Sequence, residues 1–265
     1  MATRICVSGA TGRMGRELAR LAESQPGIEI VGGVARRAAR DTESRILGYP
    51  CITQVSDADD VLTRADVLVD FSAPELLGEL MEAHPKALAG RALVVGTTGL
   101  EPWLVRRLDH AAHDAAVLIA PNFSVGVNLL LALVERAAAV LDPTEYDIEI
   151  LETHHRHKTD APSGTALTLG EAASRGRGVA LSTVRRDGRT GNTGERPAGE
   201  IGFHSVRGGE VPGAHRILFL GARERIEFGH LAQDRSLFAE GALRAARWIA
   251  GKAPGRYGMR EVLGL

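Results

Sequence analysis

The chain has very little cysteine: Cys6 and Cys51 are the only two among 265 residues. Both stand in apolar surroundings and lack the CxxC spacing of redox or metal-binding pairs, so we expect two small, buried hydrophobic side chains. This scarcity excludes a fold held together by several disulfides, and it argues against a cysteine-based metal site.

The sequence also lacks an excess charge of one sign and a long apolar run. Its 32 Lys and Arg nearly balance its 33 Asp and Glu, giving a formal net charge of -1, whereas nucleic-acid and membrane binding usually need a strong field of one sign. No stretch of about eighteen apolar residues occurs, and the N-terminus MATRICVSGATG reaches glycine too early for a signal peptide. We therefore expect a cytoplasmic protein without nucleic-acid or membrane partners.

Predicted strands and helices alternate in the first half of the chain. Strands are predicted at 3–8, 28–34, 67–71, 93–96 and 117–120, and helices after residue 13, at 74–88 and at 101–112. Such alternation is typical of a parallel sheet that is covered by helices on both faces. The sequence therefore predicts the α/β class, with a doubly wound parallel sheet.

The pattern changes after Pro121. A long apolar helix is predicted at 125–140 and a strand at 146–151, then a loop region rich in Gly, Arg and Thr at 175–200, and strands at 201–207, 215–220 and 223–230. Successive strands without intervening helices indicate a second α+β domain with a mixed or antiparallel sheet. The amphipathic helix predicted at 235–250 is expected to return to the first domain, and the polar segment 185–199 is expected to be a mobile loop.

Three glycines follow the first predicted strand at the spacing GxxGxxG, in SGATGRMGR. Gly9 permits a tight turn, Gly12 lets backbone amides approach a pyrophosphate, and Gly15 lets the following helix pack close to the strand. A plain turn of small residues is the alternative. The position between a strand and a helix favours a dinucleotide-binding turn of the Rossmann type.

Two arginines, Arg36 and Arg37, follow the second predicted strand. Dinucleotide-binding domains that select NAD place an acidic residue there, which bonds the ribose 2′-hydroxyl. Arginine side chains would instead form charge-assisted hydrogen bonds with the 2′-phosphate of NADP. We therefore expect NADPH to bind at least as well as NADH; two solvated surface arginines are the alternative.

Two further segments follow predicted strands, DFSAPE at 70–75 and GTTGL at 96–100. Because the carboxyl ends of strands line the ligand crevice of a doubly wound sheet, Thr97, Thr98 and the backbone of Phe71 and Ser72 are candidate cofactor contacts. Ser and Thr before helices are also common N-caps. Spacing alone supports the two interpretations equally.

The most unusual segment is HHRHK at 154–158, which precedes APSGTAL. Side chains alternate across a strand, so the three histidines cannot form one compact metal site without a sharp bend, and no HExxH pair is completed. An anion pocket is the better interpretation, because Ser163, Gly164 and Thr165 begin a predicted helix with free backbone N–H groups. We expect a carboxylate or phosphate ligand there and no metal ion.

A nicotinamide cofactor on one domain and an anion pocket on the other indicate a reductase. Hydride addition to a conjugated C=N or C=C unit leaves electron density that must be protonated, so the site needs a cation and an acid. His154 and Lys158 are the candidates. The spacing of His230, in ERIEFGH at 224–230, does not indicate a role for it.

Seven segments occur in the order GATGRMGR, DFSAPE, GTTG, APNFSVGVN, DIEILETHHRHKTDAPSGTAL, IGFHSVRGGEVPGAH and ERIEFGH. Together they closely resemble the dihydrodipicolinate reductase family, the 4-hydroxy-tetrahydrodipicolinate reductases of the diaminopimelate route to lysine. The similarity runs nearly end to end, and HHRHKTDAPSGTAL is its most specific part.

The resemblance implies NAD(P)H-dependent reduction of a cyclic dicarboxylic imine, with NADPH or NADH as cofactor. It implies a Rossmann-like cofactor domain built from residues 1–125 and 235–265, and a substrate-binding and tetramerisation domain at 126–234. The implied partners are a small dicarboxylic substrate and further copies of the same chain, in a homotetramer.

The resemblance also implies roles for individual residues. His154 would be the acid/base catalyst and Lys158 the proton donor, and the carboxylate-binding residues would be His155, Ser163, Gly164 and Thr165. Cofactor contacts are implied for Gly9, Ala10, Thr11, Gly12, Arg13 and Met14, for Gly96, Thr97 and Thr98, and for Ala120, Pro121, Asn122 and Phe123. Many relatives have an acidic residue where Arg36 stands, so the choice between NADPH and NADH stays open.

Two other functions fit parts of the sequence. One is another NAD(P)-dependent reductase of a small carboxylic acid, such as an aspartate dehydrogenase. The other is a sensor that binds NAD(P)H without chemistry, against which only the intact lysine and histidines argue.

Overall fold

The computed structural model describes residues 1–265 and divides the chain into two units. The first unit comprises Met1–Val125 and Ser236–Leu265, and the second comprises Gly126–Arg235. Assignment of dinucleotide binding to the first unit, and of substrate binding and tetramerisation to the second, stays a prediction.

Twelve strands and eleven helices make up the two units. The strands are β1 (Thr3–Ser8), β2 (Ile28–Ala35), β3 (Ile52–Gln54), β4 (Val67–Asp70), β5 (Ala92–Val95), β6 (Ala116–Ile119), β7 (Asp147–His154), β8 (Arg185–Asp187), β9 (Ile201–Arg207), β10 (Ala214–Leu220), β11 (Arg225–Leu231) and β12 (Gly255–Tyr257). The helices are α1 (Arg13–Ala22), α2 (Asp41–Ile46), α3 (Asp59–Arg64), α4 (Pro74–Ala83), α5 (Pro85–Leu88), α6 (Pro102–Ala111), α7 (Val125–Val140), α8 (Gly164–Gly176), α9 (Leu181–Val184), α10 (Ser236–Ile249) and α11 (Met259–Leu263), with a 3-10 turn at Val55–Asp57. None of these helices combines the length and the apolar composition that a membrane span requires.

The sheet of the first unit has seven strands in the order β12-β6-β5-β4-β1-β2-β3. Every neighbouring pair is parallel. Alternate residues of β1 face opposite sides, so Ile5 packs with Leu18 of α1 and Leu243 of α10, whereas Cys6 packs with Leu77 of α4 on the other face. The predicted doubly wound parallel sheet is confirmed.

The two cysteines differ in burial. Cys6 is completely buried and Cys51 is only partly buried, and both are free thiols. The expectation of a buried hydrophobic side chain is therefore confirmed for Cys6 and holds only in part for Cys51.

The second unit contains a mixed sheet in the order β11-β10-β7-β9-β8. β7 runs parallel to β9, and β9 to β8, whereas β10 is antiparallel to both β7 and β11. Helices α7 and α8 cover one face, where Val134 and Leu169 pack against Ile150 and Phe203. A second α+β domain with a mixed sheet is thus confirmed.

Several predicted boundaries were wrong. The region 175–200, predicted as loop, contains α9 and the edge strand β8, whose three residues are all exposed and so show no apolar alternation. The segment 185–199 is also tied down, because Arg189 and Arg196 donate to Glu149 of β7 at 3.0 and 2.9 Å. The predicted helix 74–88 ends at Ala83, and Pro85, which cannot donate a backbone hydrogen bond, begins a separate turn of helix.

Candidate functional site

The turn between β1 and α1 requires glycine at its first position. Gly9 has a φ of +83°, and a Cβ atom there would lie 2.5 Å from the carbonyl oxygen of Phe71. The N–H groups of Gly9 and Ala10 donate to the carbonyl of Val34 at 3.0 and 3.2 Å, which fixes the turn on β2. Gly12 is the N-cap of α1, and no side chain caps the helix. The start of α1 therefore has the backbone geometry that accepts an anion, as a pyrophosphate requires.

Arg36 and Arg37 follow β2 and are both exposed. Neither forms a hydrogen bond or an ion pair within the chain. Arg36 lines a cavity of about 270 Å³ together with Gln54, Glu75 and Glu79. The position of Arg36 after β2 fits the predicted contact with an adenosine ribose. The cavity is lined by one cationic and two acidic side chains.

A buried carboxylate, Asp70, lies at the end of β4. It accepts hydrogen bonds from the hydroxyls of Ser72 and Thr97 at 2.6 and 2.5 Å, and the N–H of Ser72 donates to Thr97 at 2.9 Å. Burial raises the pKa of Asp70, and these hydrogen bonds act in the opposite direction. The N-caps of α4 and α6 are Ala73 and Glu101, so the helix-capping interpretation of Ser72 and Thr97 was wrong. Their hydroxyls hold two strand ends together instead.

Aromatic packing shapes the neighbouring strand ends. The rings of Phe71 and Phe123 lie 5.3 Å apart, and the Phe71 ring covers Gly96 so closely that a Cβ atom there would clash. The side-chain oxygen of Asn122 accepts from the N–H of Ser124 at 2.8 Å. The loop after β6 is thereby fixed beside the loops after β4 and β5.

All the residues predicted to contact the cofactor follow strand ends of the first sheet. Gly9, Ala10, Thr11, Gly12, Arg13 and Met14 follow β1, Arg36 and Arg37 follow β2, Phe71 follows β4, Gly96, Thr97 and Thr98 follow β5, and Ala120, Pro121, Asn122 and Phe123 follow β6. They share one edge because the strands are parallel. Contact with a cofactor stays a prediction for each of them.

The predicted catalytic histidine ends a strand of the second unit. β7 extends to His154, three residues beyond its predicted end, and the register pairs His154 with Arg207 of β9. Glu152, two residues earlier, lies on the same face and pairs with His215 of β10 and Ser205 of β9. Regular strand pairing therefore gathers these five polar residues at one end of the sheet.

His154 is almost enclosed, with 8% of its surface exposed. Its Nδ1 atom lies 2.5 Å from Oε2 of Glu152, and its ring meets the His215 ring edge-on at a centroid distance of 5.2 Å. Burial lowers the pKa of His154, while the hydrogen bond and the charge of Glu152 oppose that shift. The ring is therefore held by a carboxylate rather than by solvent.

Glu152 is 1% exposed, and four residues donate to its carboxylate, namely Arg207, His154, Ser205 and, through its backbone, Ser163. Arg207 donates to Oε2 at 2.8 Å and to Oε1 at 2.7 Å, and the backbone N–H of Ser163 donates to Oε1 at 3.2 Å. Burial alone would raise the pKa of Glu152, but hydrogen bonds from Arg207, Ser205 and His154 outweigh it and lower the pKa to about 2. The carboxylate is ionised at neutral pH.

The remaining residues of the basic segment lie on a turn after β7. The N–H of His155 donates to the carbonyl of Val211 at 2.8 Å, and the N–H of Lys158 donates to the carbonyl of His155 at 3.2 Å. The Lys158 ammonium lies 2.8 Å from Oδ1 of Asp160, and this hydrogen bond lowers the pKa of Asp160. No group of three or more His, Cys, Asp and Glu side chains in the chain is placed to hold a metal ion.

The predicted helix start is confirmed: α8 begins at Gly164 and Ser163 is its N-cap. The Ser163 hydroxyl accepts from the N–H of Ala166 at 3.2 Å and lies 3.1 Å from Nε2 of His215. Burial, with the nearby charge of His154, lowers the pKa of His215 to about 4, so this imidazole is neutral at pH 7. The turn that carries Gly164 and Thr165 is thus anchored to the strand end that carries His154.

Three residues of this cluster, Glu152, Arg207 and His215, were not predicted from the sequence. Glu152 carried one local signal, since it stands two residues before His154 and would share its face in a strand. Arg207 and His215 come from β9 and β10. Only the strand register brings them to His154, and no spacing in the sequence encodes that register.

Comparison with known proteins gives matches along almost the whole chain. The family model described as dihydrodipicolinate reductase, N-terminus, matches residues 3–123, and the one described as dihydrodipicolinate reductase, C-terminus, matches residues 126–263. The chain is 48% identical over 271 residues to the 4-hydroxy-tetrahydrodipicolinate reductase of Parvibaculum lavamentivorans, covering 99% of this chain and 98% of that protein. It is 46% identical over 270 residues to that of Alkalilimnicola ehrlichii, covering 100% of both.

Solved structures resemble the fold at lower sequence identity. A dipicolinate-bound dihydrodipicolinate reductase from Paenisporosarcina sp. TG-14 superposes with a TM-score of 0.73 at 22% identity, over 97% of this chain and 98% of that one. A DAP dehydrogenase of C. glutamicum superposes with a TM-score of 0.56 at 18% identity, over 98% and 93%. At these identities the superpositions support the fold alone.

Proposed function

The chain belongs to the dihydrodipicolinate reductase family, and from this premise we propose that it reduces 4-hydroxy-tetrahydrodipicolinate to tetrahydrodipicolinate with NAD(P)H, in the diaminopimelate route to lysine. One structural observation carries the proposal. Glu152 is bonded to His154, to Arg207 and to the N–H of Ser163 at the start of α8, and Asp160 links this cluster to Lys158, because it accepts from Arg207 through its carbonyl and pairs with Lys158 through its side chain. A cytoplasmic location is proposed with it.

The proposed reaction replaces a hydroxyl group by hydrogen. It consumes one hydride and one proton, and the hydroxyl leaves as water, so atoms and charge balance. The nicotinamide cofactor, when bound, supplies the hydride. The first unit fits such a cofactor because Gly9 permits the tight turn after β1, and Gly12 leaves the N-cap of α1 without a side chain. Gly9 to Met14, with the loops after β4, β5 and β6, would hold it.

The proton is proposed to come from the second unit. His154 would act as acid/base catalyst through the ring nitrogen that Glu152 does not engage, and Lys158 would donate a proton from its ammonium. The Lys158 side chain is 21% exposed and its one ion pair is with Asp160, whose side chain is mostly exposed. Because the Asp160 carboxylate is mostly exposed, solvent screens the pair and its free energy is small, so Asp160 would yield its place to a substrate carboxylate.

The carboxylate groups of the substrate are proposed to bind at the start of α8. Gly164 and Thr165 begin that helix, Ser163 caps it, and His155 lies on the adjoining turn. A helix N-terminus favours a negative charge. The Paenisporosarcina structure holds dipicolinate, a ring dicarboxylate, and that neighbour supports a ligand of the same class here.

One assay separates the proposal from its rivals. The purified protein is mixed with NADPH or NADH and with substrate freshly generated from aspartate semialdehyde and pyruvate, and the absorbance of the reduced nicotinamide is followed. We expect rapid oxidation that depends on the substrate. If the reduced cofactor is oxidised with oxaloacetate and ammonia but not with this substrate, the protein is an aspartate dehydrogenase. If the cofactor binds but is oxidised with neither, the protein is a sensor.

The two exposed arginines are expected to select the phosphorylated cofactor. Replacing Arg36 and Arg37 together by alanine should raise the KM for NADPH about tenfold, because two charge-assisted hydrogen bonds to the 2′-phosphate are lost in an exposed site. The KM for NADH should stay within about twofold on the same reasoning. Arg40→Ala removes a nearby exposed cation and is the matched control. A preference for NADH in the parent chain that the double variant retains would contradict the role.

We further propose a homotetramer. One face of the mixed sheet lies under α7 and α8, while the other face carries Val206 at 52% and Leu231 at 65% exposure. Exposed apolar side chains on the sheet face that no helix covers favour association with another copy. The mass in solution, measured by light scattering, tests the stoichiometry: a mass other than four chains would rule it out.

A further inference from the structure

Glu152 is bonded to three separate elements of the second unit. Its carboxylate contacts His154 on β7, Arg207 on β9 and the backbone of Ser163 before α8. We propose that Glu152 is the positioning residue that keeps the imidazole proton of His154 on Nδ1 and so reserves Nε2 for proton transfer. The catalytic use of Nε2 rests on the proposed function; the position of the proton does not.

The short contact defines which nitrogen carries the proton. An ionised carboxylate can only accept hydrogen bonds, so the His154 nitrogen 2.5 Å from Oε2 must be the donor. The low pKa of Glu152 supports the ionised form. In a neutral imidazole the other nitrogen, Nε2, then carries a lone pair.

Arg207 and Ser163 fix the orientation of the carboxylate. Oε1 accepts from both Arg207 and the N–H of Ser163, whereas Oε2 accepts from Arg207 and from His154. A planar guanidinium that bonds both oxygens defines the plane of the carboxylate. Arg207 also donates to the carbonyl of Asp160 at 2.7 Å, which ties the same guanidinium to the turn that carries Lys158.

The second ring nitrogen of His154, Nε2, is unpaired. It has no hydrogen-bond partner anywhere in the chain. Gly213 lies in front of it, where an added Cβ atom would be 3.1 Å away. The charged and titratable groups that face the ring are Glu152, Arg207, Lys158 and His215. None of them occupies Nε2, so this nitrogen is available to an incoming group.

Glu152→Gln tests the assignment because the amide has one donor end and one acceptor end. Oε1 faces two N–H donors that cannot change, from Arg207 and the Ser163 backbone, whereas Oε2 faces one such donor, from Arg207, besides the His154 ring, whose proton can move. The amide oxygen should therefore take the Oε1 position, and the amide nitrogen should face Nδ1 of His154. The proton is then expected to move to Nε2. We expect kcat to fall about 100-fold with the substrate KM within about threefold, as for other histidines held in the wrong tautomer.

The direct readout is the tautomer of His154, measured by two-dimensional nuclear magnetic resonance of the nitrogen-15-labelled ring. The parent protein should show a proton on Nδ1 and the glutamine variant a proton on Nε2. Glu152→Asp retains the acceptor charge and should keep the Nδ1 proton with a smaller loss of kcat, so the test survives if the glutamine variant folds poorly.

Glu149 provides a matched control on the same strand. It faces the opposite side of β7 and also accepts from two arginines and a histidine, namely Arg189, Arg196 and His204. Glu149→Gln removes a comparable set of ionic hydrogen bonds, so its loss of stability should be similar to that of Glu152→Gln. The tautomer of His154 and the kcat should be unchanged.

Three results would overturn the inference. They are a parent protein with the His154 proton on Nε2, a Glu152→Gln variant with the proton still on Nδ1, and a variant that loses only thermal stability while kcat holds. A parent protein that fails to reduce the proposed substrate while residue 152 still controls the tautomer would refute the proposed function and support the positioning role.

Discussion

Lys158→Ala is expected to lower kcat about a thousandfold while the protein stays folded, because general acid catalysis by a positioned group contributes roughly that factor. The loss of stability should be small. Lys158 makes one side-chain ion pair, with the mostly exposed Asp160, and such pairs contribute little to the free energy of unfolding. Steady-state kinetics and urea unfolding on the same preparation give both quantities.

His155→Ala is the contrasting variant for this experiment. Its proposed contact with a substrate carboxylate exists in the ground state and in the transition state alike, so the KM should rise while kcat changes little. If Lys158→Ala turned over at the parent rate, the lysine would have no place in the mechanism. A pure kcat defect in His155→Ala would contradict the binding role of that histidine.

Arg207→Ala is expected to cause the largest loss of stability, about 3 kcal/mol at pH 7. The substitution removes two hydrogen bonds from Glu152, which is 1% exposed, and leaves a buried carboxylate with weaker compensation. Urea unfolding followed by circular dichroism measures the change. Arg216→Ala is the control, because Arg216 pairs with Glu227 on the exposed part of the sheet and should affect stability little.

The deficit of Arg207→Ala should shrink in acid. In the parent protein the pKa of Glu152 is lowered to about 2, so its ionic contribution is complete above the unfolded-state pKa of about 4.3 and is lost as the pH falls from there towards 2. Without Arg207 this favourable contribution is largely absent. The two unfolding free energies should therefore converge between about pH 4 and pH 2. A gap that stayed constant over this range would show that packing by the Arg207 side chain, and not the ion pair, accounts for the effect.

The fold of the first unit was predictable because its signals are local. The apolar strands β1, β4, β5 and β6 are bounded by turns, and the glycine turn at Gly9 joins a strand to a helix as expected. The short edge strands β3 and β12 were missed. Each has only three residues and joins the sheet by pairing with distant neighbours. Pairing of that kind is a tertiary effect that overrides weak local propensity.

The candidate site in the second unit could be predicted only in part. The sequence indicated the anion pocket because cations and a helix start stand together at 154–165. It did not indicate that β7 continues to His154, nor that β9 brings Arg207 alongside. Those contacts depend on the register of strands more than fifty positions apart, and a register shift of one residue would have moved Arg207 to the opposite face.

The division of the first unit into two stretches of chain has a consequence for synthesis on the ribosome. Leu243 and Ile249 of α10 belong to the core around β1, yet they emerge only after the whole of Gly126–Arg235. The second unit can therefore complete its own core first, while the sheet face of the first unit that α10 covers stays partly exposed until that helix is made. Protease treatment of stalled nascent chains tests this order of folding. We expect the second unit to resist cleavage before the first, and resistance of residues 1–125 before α10 is made would disprove it.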